Sequence, residues 1–223
     1  MKKILLMVVV AVMATNAMAQ IPDNVKEVLR KYEAKMESYN TAAGAIIEGT
    51  VKMKVSIVSF SGPMKMCAKD KKFFASFSMN AMKKIGINVD MGFDGEQMWE
   101  YKTVTGGDST DKDTLKITRT RDAKNIFGPK TGYDKEYKKA KMKEAGSYYE
   151  ITFSGPLKKD VSKKTTIKID KEKYLMREYS VDEAVGPFTA KLTLTITKIT
   201  KGCSDNWLKL DMNRYKNAVV VRK

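Results

Sequence analysis

The stretch Val89–Lys102, VDMGFDGEQMWEYK, decides how the rest of the chain is read. Val89, Met91 and Phe93 alternate with Asp90 and Gly92, the two-residue period of a strand with one dry face. Asp94-Gly95 then breaks the run with a pair that tight hairpins favour, because glycine accepts the backbone twist such turns require. Trp99 and Tyr101 follow on the return strand. The segment therefore reads as an antiparallel hairpin. It also raises a question: does Trp99 simply pack on the sheet, or does it help form a surface that holds something apolar?

Working outward, the same alternation recurs. Toward the N-terminus, Ile47, Gly49, Val51, Met53, Val55 and Ile57 share one face of Ile46–Phe60, opposite Glu48, Thr50, Lys52, Lys54 and Ser56. Ser61-Gly62-Pro63 reads as a turn, followed by Met64, Met66 and Ala68 on one side of the next strand. Phe73, Ala75, Phe77 and Met79 mark another, and Ile85 and Ile87 lead into the opening stretch. Toward the C-terminus, strands are expected at Tyr148–Ser154, Lys164–Asp170, Tyr174–Val181 and Phe188–Thr200, with Phe188, Ala190, Leu192, Leu194 and Ile196 inward. Two short end strands are expected in Trp207–Met212 and Ala218–Lys223. Residues 115–146 are the least regular: Ile117–Gly128 reads as a strand end and a short helix, and the strongly basic Tyr133–Gly146 as a short helix or an exposed strand.

One segment has a different period. Val25, Val28, Leu29, Tyr32, Met36 and Tyr39 recur at three, four or seven residues, the stripe of an amphipathic helix. Asp23 or Asn24 is the expected N-cap, with Glu27 in the first turn. The stripe needs an apolar partner. The fold class expected is mainly β: an antiparallel, unclosed β-barrel of ten or eleven strands, with the helix in or across its concave side.

Residues 1–19 have the layout of a secretory signal peptide. Lys2 and Lys3 precede the apolar run Ile4–Ala14, and Ala17-Met18-Ala19 supplies the small-residue cleavage site. The run falls short of the ~20 residues that span a bilayer. The expected mature chain, residues 20–223, is a single exported periplasmic domain.

The full sequence is strongly basic, 42 Lys and Arg against 26 Asp and Glu, and only Lys2 and Lys3 of these lie in the leader. That suits a transient contact with an anionic membrane surface, or simply a solvated face. Lysine predominates over arginine, which argues against nucleic acid as a partner, since lysine lacks the bidentate fork. There is no histidine. Ser-His and Cys-His nucleophile pairs and the commonest metal ligand are thereby removed, so neither catalysis, a metal nor a cofactor is expected. Cys67 and Cys203 can pair in an oxidising compartment or remain two buried thiols; their spacing does not decide between them.

The order of leader, amphipathic helix, long meander and Asp94-Gly95…Trp99…Tyr101 resembles the LolA-type outer-membrane lipoprotein carriers. More broadly it resembles the LolA, LolB and RseB-like superfamily. Ile169–Gly186 with Thr189, and the ending Tyr215–Lys223, are similar to segments of that family. The resemblance implies an unclosed barrel with helices as a lid over an apolar cavity that holds acyl chains. Family carriers have an early-strand arginine that holds the lid, whereas this chain has only lysines between Lys31 and Thr118.

On these grounds the candidate acyl-binding residues are Val51, Met53, Val55, Met64, Met66, Phe73, Phe77, Met79, Ile87, Val89, Met91 and Trp99. Their methionines suit a surface that adapts to variable apolar guests, and equally an ordinary core. The function expected is a monomeric carrier or chaperone for lipoprotein or lipid acyl chains, meeting inner- and outer-membrane protein partners. The alternative is a periplasmic sensor or assembly protein that binds a protein partner.

Overall fold

The computed structural model describes residues 21–39, 43–81, 85–106, 113–120, 133–157, 164–185 and 188–222. Alternation in the first half yields β1 (Ala45–Val55), β2 (Val58–Lys69), β3 (Lys72–Ala81), β4 (Ile85–Phe93), β5 (Gln97–Thr105) and β6 (Thr114–Arg119). The second half adds β7 (Tyr137–Ala145), β8 (Tyr148–Pro156), β9 (Lys164–Asp170), β10 (Met176–Val185), β11 (Phe188–Lys201) and β12 (Val219–Arg222). All twelve form one sheet in the order β12-β6-β5-β4-β3-β2-β1-β11-β10-β9-β8-β7. Two antiparallel meanders thus meet at the centre, where β1 pairs with β11 from Ala45↔Lys201 to Val55↔Ala190. β12 lies parallel to β6, and the sheet keeps two free edges, so the barrel is unclosed.

The described residues form twelve strands, against about ten or eleven expected. β6 and β7 emerge from the irregular region, because Leu115 and Ile117, and then Tyr137 and Ala140, provide enough buried side chains to dock on their neighbours. Residues 207–212 do not form a strand. They fall within two 3-10 turns, Asp205–Leu208 and Met212–Tyr215, and the link between them.

The first hairpin also turns earlier than expected. Ser56, in the left-handed region at φ 53°, begins the β1–β2 turn, and Ser61-Gly62-Pro63 runs on within β2. Pro63 is tolerated there because the β2–β3 pairing skips from Ser61↔Asn80 to Met64↔Phe77, so no ladder bond needs its missing N–H. Gly62 is required by crowding, since a Cβ would stand 1.7 Å from the Ser78 carbonyl oxygen.

The first helix, α1 (Asp23–Glu37), begins a residue ahead of the expected cap. Pro22 occupies the cap position and makes no side-chain cap bond, while Asn24 Oδ1 accepts from the Val25 N–H at 2.9 Å. A second helix, α2 (Tyr133–Glu136), is a single turn. These two helices and the 3-10 turns are the helical elements among the described residues; most of 117–128, expected to carry a strand end and a short helix, lies outside them.

The stripe Val25, Val28, Leu29, Tyr32 and Met36 is buried in one cluster with Ala75 and Phe77 of β3 and Ile151 and Phe153 of β8. β3 and β8 stand six places apart in the sheet order, about 29 Å on a flat sheet at ~4.8 Å per strand. A helix is only about 10–12 Å wide. The sheet therefore curls around α1, and these residues form its inner face.

The outer face of the first meander has its own cover. Phe74, next in sequence to the inward Phe73, belongs to a second cluster with Cys67, Trp99, Leu115 and Ile117. The segment after β11 lies over them, with Leu208 and Tyr215 buried in the same cluster. A disulfide joins Cys67 to Cys203 at the start of this strap, with Cα atoms 5.8 Å apart across 136 residues of chain. Such a crosslink restricts the unfolded chain strongly, because the loop it closes is long. Replacing both cysteines with serine is predicted to lower stability by about 2–5 kcal/mol, measured by urea unfolding. Adding reductant to the parent protein should reproduce the loss and leave the double variant unchanged.

Candidate apolar site on the inner face

The dry floor of the inner face comes from cross-strand neighbours. Ile151 pairs with Ile167 and Tyr149 with Ile169, and Val25, Ala75, Ile151, Phe153, Ile167 and Ile169 have no exposed surface. Tyr133 of α2 stacks on Phe153 with ring centroids 4.3 Å apart. The Tyr137 hydroxyl and Thr165 Oγ1 share a buried hydrogen bond of 2.6 Å. Burial pushes the Tyr32 and Tyr133 phenols well up, so both stay neutral at ordinary pH. The floor is apolar and uncharged.

Alongside α1 the covering is incomplete. Met53, Phe60, Ile87, Val89 and Met91 are only partly buried, and they pack against the core from β1, β2 and β4. They continue the inner face as a partly exposed apolar strip. Met142, Tyr149, Tyr174, Tyr179 and Leu192 form a corresponding rim on the second meander. On that side Lys31 of α1 lies 5.2 Å from the Tyr174 ring centroid and donates to its hydroxyl at 3.4 Å.

Of the candidate residues, Val51, Met64, Met66, Phe77 and Met79 are buried in the inner cluster, and Met53, Ile87, Val89 and Met91 pack against it. Val55 is half-buried near the β1–β2 turn, outside the cluster. Phe73 is buried apart from it, with its ring 6.5 Å from that of Phe93.

Trp99 does not line this face. It pairs with Gly92, whose side of β4 is the outer one, and its ring covers that glycine so closely that an added Cβ would stand 2.2 Å from it. Trp99 is 1% exposed and belongs to the strap cluster. The hairpin that opens the sequence reading thus uses its tryptophan to seat the C-terminal segment. The far half of the floor, Ile151, Phe153, Ile167 and Ile169, is absent from the sequence candidates, although those strands show the same alternation. Methionine content draws the choice to the first meander, while the floor is mostly isoleucine and aromatic.

Beneath the strap, Tyr215 donates to Asp90 Oδ2 at 3.2 Å and packs on the Tyr101 ring at 4.7 Å. Tyr101 in turn donates to Asp113 Oδ2 at 3.1 Å. The Trp99 indole N–H is buried, with no well-aligned acceptor among the described residues and the Tyr215 hydroxyl as its polar neighbour. Elsewhere on the outer face, a groove of about 380 Å³ opens beside the β-bulge at Glu48/Gly49, with Lys65, Ser76, Ser78 and Thr197 in its lining. Pro63 and Met64 share that lining with these charged and hydroxyl side chains. Among the described residues, no cluster of His, Cys, Asp or Glu is placed to hold a metal ion, and no helix is long and apolar enough to cross a membrane.

No family model matches this chain, and no curated protein matches it. Solved structures similar to it include an uncharacterized conserved protein from Thermus thermophilus, at 13% identity and a TM-score of 0.48, covering 90% of this chain and 99% of that one. A LolA superfamily protein from Nitrosomonas europaea is similar at 9% identity and a TM-score of 0.33, covering 82% and 98%. MucB, from the Pseudomonas aeruginosa MucA/MucB complex, is similar at 9% identity and a TM-score of 0.35, covering 83% of this chain and 62% of that one.

Burial, followed by the Asp90 carboxylate, pushes the Tyr215 hydroxyl up to about 12. An unfolded tyrosine titrates near ~10. The stabilisation is therefore complete below about pH 10 and is lost as pH rises toward the folded value. Tyr215→Phe is predicted to cost about 1 kcal/mol at pH 7 through the lost bond to Asp90. Melting curves of both proteins between pH 7 and 12 should show that gap closing above about pH 10.

Proposed function

We propose that this chain is a non-catalytic periplasmic carrier that shelters the acyl chains of lipoproteins or lipids against its inner face, beside α1. The observation that carries the reading is the strip Met53, Phe60, Ile87, Val89 and Met91, apolar side chains left partly exposed next to a fully dry floor, which we read as the trough for a guest. An acyl chain laid there removes apolar surface from water at about 0.8 kcal/mol per methylene. A dozen methylenes give roughly 10 kcal/mol before the cost of ordering the chain. Unbranched methionines let the walls fit guests of different shape and release them again.

The leader-like residues 1–19 support export, and the whole of residues 20–223 serves as one carrier domain. In this reading the protein acts as a monomer, without metal or cofactor, and takes its cargo from one membrane and passes it to protein partners at another. Lipoprotein trafficking toward the outer membrane is the form of this function closest to the family resemblance.

A second reading has its own observation. β12 is an edge strand whose Val219, Val220 and Val221 are 38–47% exposed, and its outer backbone groups are free to pair with an added strand. A sensor or assembly protein could capture a partner segment there.

A fluorescent fatty-acid probe separates the two. The carrier reading predicts saturable uptake, displacement by lipid, and affinity about tenfold weaker or worse in Val89→Glu, which places a carboxylate in the trough. Absence of uptake would remove the carrier reading, and uptake indifferent to Val89→Glu would remove this location.

A further inference from the structure

On the outer face of the second meander the register aligns polar side chains into rows across six strands, from β7 to β1. One row reads Lys141, Thr152, Thr166, Ser180, Thr193 and Lys52. The next reads Lys139, Ser154, Lys164, Asp182, Lys191 and Lys54. All six lysines are exposed, and none takes part in an ion pair among the described residues. The neighbouring row differs, because there Lys143 pairs with Glu150 and Lys168 with Glu178, each at 3.0 Å. The unpaired lysines therefore lie in two adjacent rows, among short hydroxyl side chains and Asp182, spread over about 24 Å measured along the curved sheet at ~4.8 Å per strand.

A second observation lies at the same end of the strands. Beyond the Lys54 row, the β1–β2 turn projects Ile57, which is 90% exposed. Beyond Ser154 in the same row, β8 runs out to Leu157, 45% exposed. Ile57 is the most exposed large apolar side chain among the described residues. Apolar tips bordering a diffuse cationic face are what an interfacial protein presents to an anionic bilayer. The tips enter the headgroup–acyl boundary while the lysines meet lipid phosphates. A nucleic acid or acidic glycan would engage the lysines and leave Ile57 in water.

We propose that this face and the Ile57 tip form the surface by which the protein docks on a bilayer containing anionic phospholipid. The inference deepens the carrier reading by naming where the carrier meets its membrane, and it rests on that reading for the biological setting. Its test is separate, because acyl uptake is read with a soluble probe and docking with vesicles.

The test is co-sedimentation of the purified protein with phosphatidylcholine vesicles and with vesicles containing phosphatidylglycerol. Binding is expected only to the anionic vesicles and should weaken with salt. Each lysine near such a surface contributes about fivefold at low salt. The triple variant Lys52→Gln, Lys54→Gln, Lys191→Gln is thus expected to bind about a hundredfold more weakly. A control removes the same charge from exposed lysines elsewhere, Lys71→Gln, Lys209→Gln, Lys216→Gln, and is expected to bind nearly as well as the parent. Ile57→Ser should weaken vesicle binding by about tenfold and leave heparin binding unchanged. Equal losses in the two triple variants, or an Ile57→Ser protein that binds vesicles like the parent, would overturn the proposal. Heparin binding without vesicle binding would overturn it in favour of a soluble polyanion.

Discussion

The burial of one helical stripe against a curled sheet is the contact on which the rest of the structure depends. Val25, Val28, Leu29, Tyr32 and Met36 cannot remain in water, and neither can the inner faces of two meanders. Placing the helix between β3 and β8 satisfies both needs at once and sets the curvature of the sheet. It also limits the closure. With α1 inside the curve, β7 and β12 remain as edges, and the apolar strip left beside the helix becomes the natural place for a guest. At roughly 1.5–3 kcal/mol for each fully buried aliphatic side chain, the stripe is comparable to the net stability of an ordinary domain.

The outer face shows two solutions to the opposite problem. Over the first meander the outward residues include Phe74, Trp99, Leu115 and Ile117, and they require a cover, which the C-terminal strap provides under the Cys67–Cys203 crosslink. Over the second meander the outward residues are threonine, serine and lysine, and they require none. The β7 edge carries exposed lysines at 138, 139, 141 and 143, which discourage edge-to-edge pairing. The β12 edge has valines instead, so the two ends of the sheet are chemically different.

Much of this was legible in the sequence because a period of two is a strong signal wherever one face is buried. The β4 and β9 boundaries, the Asp94-Gly95 hairpin and the α1 stripe all follow from side-chain pattern alone. Three features escaped for physical reasons. Ser61-Gly62-Pro63 carries a turn composition, yet a gap in the neighbouring ladder lets it continue as strand. Tyr137–Ala145 stays open in the sequence between a short helix and an exposed strand, because lysine masks the alternation of an edge strand that buries little of itself. Trp99 falls among the cavity candidates because alternation says which residues share a face but not what covers that face. Its outward position follows from the strap, whose docking is a long-range event. The inner-face methionines were found and the isoleucine floor opposite them was not, because composition pointed to softness while the sheet joins the two halves through β1 and β11.

The central claim, that α1 is the core element closing the inner face, is tested most directly by amide hydrogen exchange resolved along the chain. If it holds, the amides from Leu29 to Met36 are protected to the same degree as those of Ile151 and Ile167, because helix and floor open together. Helix amides that exchange like an unstructured segment while the β8 and β9 amides stay protected would contradict it.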